Sequence, residues 1–200
     1  MFSFKSISSA ALLAAFVVSS AIAGAQNSTL KIDTKKSSLK WFASKVTGKH
    51  DGTINLAAGS LNTDGKKVTG GGFDIDMTSI TVRDIEDPST NGKLVGHLKS
   101  PDFFSADAFK TAKFQIEKVS QKSGNDYDVS GKMTIKGITQ DITFPATIIT
   151  TGKSVSATGK ITLDRTKWDI KYGSGKFFEN IGDKAISDDF VIDFTLVAGA

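Results

Sequence analysis

Only two histidines occur in the chain, His50 and His97, and both sit in glycine-flanked runs, Gly48-Lys49-His50-Asp51-Gly52 and Gly96-His97-Leu98. An imidazole titrates near neutral pH and binds transition metals, so the pair could hold a metal or form an acid–base couple with Asp51 or Asp102. The plainer alternative is a turn cap or structural hydrogen bond at each. The chain contains no cysteine and no further histidine at ligand spacing, which disfavours a metal, and disfavours catalysis more.

Other motifs also read better as structure than as chemistry. Gly173-Ser174-Gly175 lacks the spacing and the strand-to-helix context of a nucleophile elbow. Gly70-Gly71-Gly72 is followed by a strand pattern, so it reads as a bulge or sharp bend instead of a phosphate loop. Asp74 and Asp76 alternate with Phe73, Ile75 and Met77 and so share one sheet face, where water is the default partner. Arg83 and Arg165 are the candidates for polar recognition, since a guanidinium can grip a phosphate or carboxylate with two hydrogen bonds. Either could equally pair with a neighbouring aspartate and pin the fold.

The elements that must position these residues are strands. Successive side chains of a strand point to opposite faces, so alternation of apolar with polar residues marks one wet and one dry face. Such alternation runs through Tyr127–Ile135 and Val155–Leu163, and again through Phe73–Met77, Phe114–Ile116, Ile142–Ile148 and Phe190–Leu196. With Leu30–Ile32, Leu39–Val46 and Thr53–Leu61 it predicts eight or nine strands. Turn signals separate them at Asp51-Gly52, Asp64-Gly65, Gly124-Asn125, Lys136-Gly137 and Thr151-Gly152. Short strands joined by tight turns pair antiparallel, and the small dry-face residues Gly131, Ala146, Ala157 and Gly159 favour a closed barrel with an apolar bore over a sandwich. Ser100–Phe109, with Pro101 near its start, reads as a short helical segment over one barrel end, and Tyr172–Asn180 as a glycine-rich rim loop.

The chain opens with Lys5, an apolar and small-residue run from Ile7 to Ala23, and then small residues. That order is a secretory signal peptide, expected to be cleaved after Ala25. Serines 8, 9, 19 and 20 dilute the run too far for a comfortable spanning helix. Residues 26–200 carry no linker-like shift and read as one domain that must be held by its core, since no disulfide is available. Removing Lys5 from 25 basic and 21 acidic residues leaves an excess of three, dispersed along the chain, so no nucleic-acid footprint is present.

Five segments occur in order: Trp41–Gly52 (WFASKVTGKHDG), Gly71–Ile80 (GGFDIDMTSI), Lys93–Phe104 (KLVGHLKSPDFF), Gly131–Thr139 (GKMTIKGIT) and Asp164–Trp168 (DRTKW). Together they resemble the YceI-like family of periplasmic polyisoprenoid-binding proteins. The resemblance implies an all-β fold: an eight-stranded antiparallel lipocalin-like barrel, often in a homodimer, that holds a long isoprenoid or acyl lipid in its bore. It implies no catalytic reaction, and no cofactor is expected.

On that fold the expected lining is Phe73, Ile75 and Met77 from one strand, and Met133 and Ile135 from another. Phe144 and Ile148, Val155 and Ile161, and finally Phe190, Ile192 and Phe194 complete it. Met77 and Met133 add adaptable, polarisable surface. Phe103, Phe104, Phe177 and Phe178 are expected at the rim and Arg165 at a head group. The expected role is a periplasmic carrier with transient membrane contact. Two alternatives are an enzyme in the same barrel with His50 or His97 as base, and a solid-core interaction module.

Overall fold

A computed structural model describes residues 27–199. The export segment expected over residues 1–25 lies outside them. The strands are β1 (Ser28–Lys31), β2 (Ser38–Lys45), β3 (Gly48–Thr63), β4 (Val68–Asp76), β5 (Thr111–Ser123), β6 (Asp126–Ile135), β7 (Ile138–Thr151), β8 (Ser154–Asp164) and β9 (Ile186–Gly199). Their buried positions alternate as the sequence pattern predicts; β6 buries Tyr127, Val129, Gly131, Met133 and Ile135 in succession.

All pairings are antiparallel, and β2 to β9 close into a ring in which β3 meets both β2 and β4, and β9 meets β2. Closure leaves the eight strands no free edge over most of their length. β1 and β2 occupy one position in that ring. Ser28 of β1 lies opposite Thr63 at the far end of β3, and Ile32 bridges to Ala198 of β9. The Asp33 carboxylate accepts from the backbone N–H groups of Lys35 and Lys36, turning the chain once before β2 resumes.

Two local expectations need correction. Asp51-Gly52 is no turn: it lies inside β3, and the β2–β3 turn falls at Val46-Thr47. Gly52 stands opposite Trp41, and a β-carbon there would lie 2.6 Å from the indole and 1.8 Å from the Thr81 carbonyl. The helix, α1, spans Pro88–Lys99, one segment earlier than expected. Asp87 caps it by accepting from the Thr90 N–H, and Pro88 enters at the first turn, where its missing N–H is harmless. Residues 101–108 continue as hydrogen-bonded turns that carry Phe103 and Phe104 over the barrel end. None of the α1 residues is fully buried.

Gly70-Gly71-Gly72 is the expected bend. Gly71 has φ 119°, and a β-carbon on it would come within 2.3 Å of the Ser60 carbonyl. Gly131 and Gly159 serve a different purpose, as seats for aromatic rings. A β-carbon on Gly131 would lie 2.9 Å from the Phe114 ring and 2.1 Å from the Gln115 carbonyl, and one on Gly159 would lie 2.8 Å from the Phe194 ring. Replacing Gly131 by alanine is therefore expected to cost about 1–3 kcal/mol, because backbone and ring must both shift. At this chain length each kcal/mol lowers the melting temperature by roughly 2–4 °C. Gly96→Ala, on exposed helix with nothing within 4 Å, should leave stability unchanged or raise it by up to about 1 kcal/mol. Equal effects of the two substitutions, measured by thermal melting, would contradict the ring-seat assignment.

Candidate ligand site

The barrel interior is divided in two. At the end covered by α1 and Phe103-Phe104 lies an upper cavity of about 90 Å³. Its wall includes Trp41, Ile54, Ile75, Met77, Met133, Ile135, Leu163, Phe190 and Ile192, and is apolar apart from Arg165 and Ser187. At the opposite end Leu61, Val68, Val129, Ile148, Ala157 and Leu196 help to enclose a second cavity of about 30 Å³. No residue lines both.

Between them lies a belt of four phenyl rings. Phe73 and Phe114 are cross-strand partners with ring centroids 5.5 Å apart, Phe114 lies 5.3 Å from Phe144, and Phe144 meets Phe194 edge-on at 5.7 Å. These are the tilted and edge-to-face geometries that aromatic quadrupoles favour. The belt explains why small dry-face residues do not open a continuous bore: rings from neighbouring strands lie over Gly131 and Gly159. The interior is therefore two apolar cavities separated by a solid waist.

Half of the expected lining meets in the upper cavity: Ile75, Met77, Met133, Ile135, Phe190 and Ile192. Phe73, Phe144, Ile148 and Phe194 border the lower one. Val155 and Ile161 point inward and are buried, but border neither. Phe103 and Phe104 do stand at the upper rim. Phe177 and Phe178 are half-exposed and border neither cavity; Lys171 lies 5.2 Å over the Phe177 ring. Sequence reasoning missed Trp41, Ile54, Ile80, Leu98 and Ile186. Trp41 and Ile54 were legible as dry-face positions, whereas Leu98 and Ile186 come from the cover and from the start of β9.

Arg165 is a structural clamp. Only 4% exposed, it donates from Nε to the Ser187 carbonyl (2.9 Å), from Nη1 to that of Ile170 (2.8 Å) and from Nη2 to that of Ile186 (3.1 Å). Its guanidinium also lies 3.6 Å from Asp188 and over the Phe103 ring. Burial lowers its pKa, against the opposing pull of Asp188 and Asp164, yet an arginine stays charged. Arg83 is exposed and borders no cavity.

Of the remaining motifs, Asp74 pairs with Lys113, and Asp76 caps a 3-10 turn by accepting from Thr78. Ser174 is buried and its hydroxyl accepts from the Lys176 N–H. The two histidines converge on one groove outside the upper cavity. His50 pairs with Asp84 at 2.8 Å, not with Asp51, whose backbone N–H instead donates to the same carboxylate. His97 faces Asp102 at 3.5 Å. Among the described residues no group of three or more metal-ligating side chains gathers.

The YceI-like domain matches this chain over residues 30–198, from β1 to the end of β9. The chain belongs to the YceI-like family. A UPF0312 protein of Vibrio parahaemolyticus is 28% identical over 134 residues, covering 64% of this chain and 67% of that protein. Protein YceI of Escherichia coli is 29% identical over 77 residues, 38% of this chain and 40% of its own length. Most of the curated relatives are thus matched over about half their length or less. Among solved structures, BcnA of Burkholderia cenocepacia superposes with a TM-score of 0.63 at 23% identity, covering 84% of this chain and 99% of BcnA. A polyisoprenoid binding domain from Saccharophagus degradans gives 0.64 at 15% identity, over 86% of this chain and 98% of that domain. At these identities the two structures establish the shared YceI-like barrel.

Because Arg165 spends its donors on three carbonyls, Arg165→Lys should lower stability by about 2–5 kcal/mol in chemical denaturation, since one ammonium cannot reach all three. A variant as stable as the parent that had lost ligand binding would return Arg165 to the head-group role.

Proposed function

We propose that this protein is an exported, periplasmic carrier for an amphiphile with a long apolar tail, of isoprenoid or fatty-acyl type, and that the tail lies in the upper cavity. The observation that carries this reading is the apolar wall of that cavity beneath a cover whose helix buries none of its residues. The family supports it, as does the polyisoprenoid-binding activity named for the Saccharophagus domain. The expected signal segment supports export.

Each tail methylene removed from water contributes about 0.8 kcal/mol before the costs of association. A long tail therefore binds well with few polar contacts. The cavity is narrower than the ~300–1,000 Å³ of typical ligand sites, so loading requires the cover to yield. The cover suits this: α1 contributes the half-buried Leu94 and Leu98 and is tethered at its start by Asn91, which donates to the Val82 and Ile85 carbonyls. Segments with few buried apolar contacts open first. Phe177 and Phe178, exposed on the loop that precedes β9, are the residues through which this carrier touches a membrane. No reaction is part of the reading.

Protein purified from periplasm, extracted with organic solvent and analysed by mass spectrometry, should yield a near-stoichiometric unmodified lipid. A protein with no lipid would favour the interaction module, and a converted product would favour an enzyme. Met133→Arg places a charge against the tail at a cost of several kcal/mol. It should empty the site while circular dichroism and melting still report a fold. A folded Met133→Arg protein with full lipid loading would refute the placement.

A further inference from the structure

At the end away from the cover, the ring of strands comes apart between β4 and β5. The two pair from Asp76–Thr111 to Gly71–Ile116 and no further. Beyond that point Val68 and Gly70 pair with β3 alone, and Lys118–Ser123 with β6 alone. Two backbone features turn the strands apart: Gly71 has φ 119°, and β5 shifts register against β6 between Ile116 and Lys118, the kind of irregularity that bends a strand. The Gln115 side chain caps the split by donating to the Gly71 carbonyl at 2.8 Å.

Lys118–Ser123 is therefore a free sheet edge. Every second residue along an antiparallel strand turns its N–H and C=O away from its partner, and here those groups meet no other strand among the described residues. The floor beneath the edge is apolar, since Val68, Ile116 and Val119 line the lower cavity together with Leu61 and Val129. Because Val119 faces inward, its neighbour Lys118 points out to solvent.

Charge then selects the strand that fits. Glu117 faces Lys132 at 3.6 Å, Asp128 pairs with Lys122 at 3.2 Å, and Asp64 accepts from the backbone N–H groups of Lys66 and Lys67. The ammoniums of Lys118, on the edge, and of Lys66 and Lys67, on the turn that enters β4, are exposed and form no ion pair among the described residues. A second copy of this chain is the wrong partner. Edge against edge, Lys118 and Lys122 of one copy would meet the same lysines of the other, and like charges across strands repel.

We infer that the free edge of β5 is a docking site for an extended acidic segment of a partner protein. Its alternate residues are apolar toward Val68 and Val119 and carry carboxylates toward Lys66, Lys67 and Lys118. Main-chain hydrogen bonds to the edge supply affinity, and the alternating side chains supply selectivity. The inference stands apart from the carrier reading, because it uses the barrel end opposite the cover and no lipid contact.

The probe is a fluorescein-labelled, end-capped peptide of alternating glutamate and valine, compared with its lysine–valine counterpart by fluorescence anisotropy on the mature protein. The acidic peptide should bind about tenfold more tightly than the basic one, as opposite instead of like charges at three lysines allow. Hydrogen exchange should slow at amides within Lys118–Ser123, and methylating the peptide's backbone nitrogens should abolish binding. Lys66→Glu, Lys67→Glu and Lys118→Glu combined should reverse the preference, whereas Lys93→Glu with Lys99→Glu at the covered end should leave it unchanged. The parent protein's peptide preference and exchange pattern decide the matter even where the triple variant melts early. Equal affinity for the two peptides, binding that survives methylation, or protection confined to other strands overturns the inference. If neither peptide binds it also falls, and phosphatidylglycerol vesicles that bind the parent but not the triple variant then reassign these lysines to a membrane surface.

Discussion

Phenyl rings laid across the waist of the barrel determine what the rest of the interior can be. Phe73, Phe114, Phe144 and Phe194 come from four different strands and touch in sequence. They fit because Gly131 and Gly159 present no side chain beneath them. An eight-stranded barrel is just wide enough for side chains to fill it, and here four large ones fill its middle. The remaining space is then confined to the ends, one of which also has a cover and the adjoining groove that His50 and His97 line.

Stability and opening are assigned to different parts of that end. Arg165 ties the carbonyls of Ile170, Ile186 and Ser187 together, so the chain following β8 and the start of β9 are held firmly. Asp164 reinforces the same corner by accepting from Thr166 and Lys176. Burial raises its pKa, but those contacts outweigh it and the net shift is downward, so this contribution is present above the ordinary carboxylate range and fades as pH falls below it. Against that fixed corner α1 is attached mainly through its first turns and through Leu94 and Leu98. One side of the cover is thus tied by buried hydrogen bonds, the other by few buried apolar contacts.

The barrel was legible in the sequence because period-two alternation is a local signal; β6, β8 and β9 could be read residue by residue. Features that depend on register were not. Asp51-Gly52 looks like a turn until Trp41 is seen opposite Gly52, and the aromatic belt exists only once four strands are aligned. Helix α1 gave no clear apolar stripe, since it fully buries no residue and carries Gly92 and Gly96. The residues of the expected lining face the interior, but which cavity each one borders, if either, depends on where the rings fall. The partner of His50 is 34 residues away in sequence, beyond the reach of any motif.

The central claim, that a lipid tail occupies the upper cavity, can be tested through the only two tryptophans. Trp41 lines that cavity, whereas Trp168 is buried outside its lining with Nε1 donating to the Met133 carbonyl. A lipid brominated along its tail quenches an indole it touches. In Trp168→Phe, where Trp41 alone emits, titration with a dibrominated fatty acid should quench most of the fluorescence, and in Trp41→Phe much less. Strong quenching of Trp168 with Trp41 unaffected, or saturable binding that quenches neither, would contradict this account.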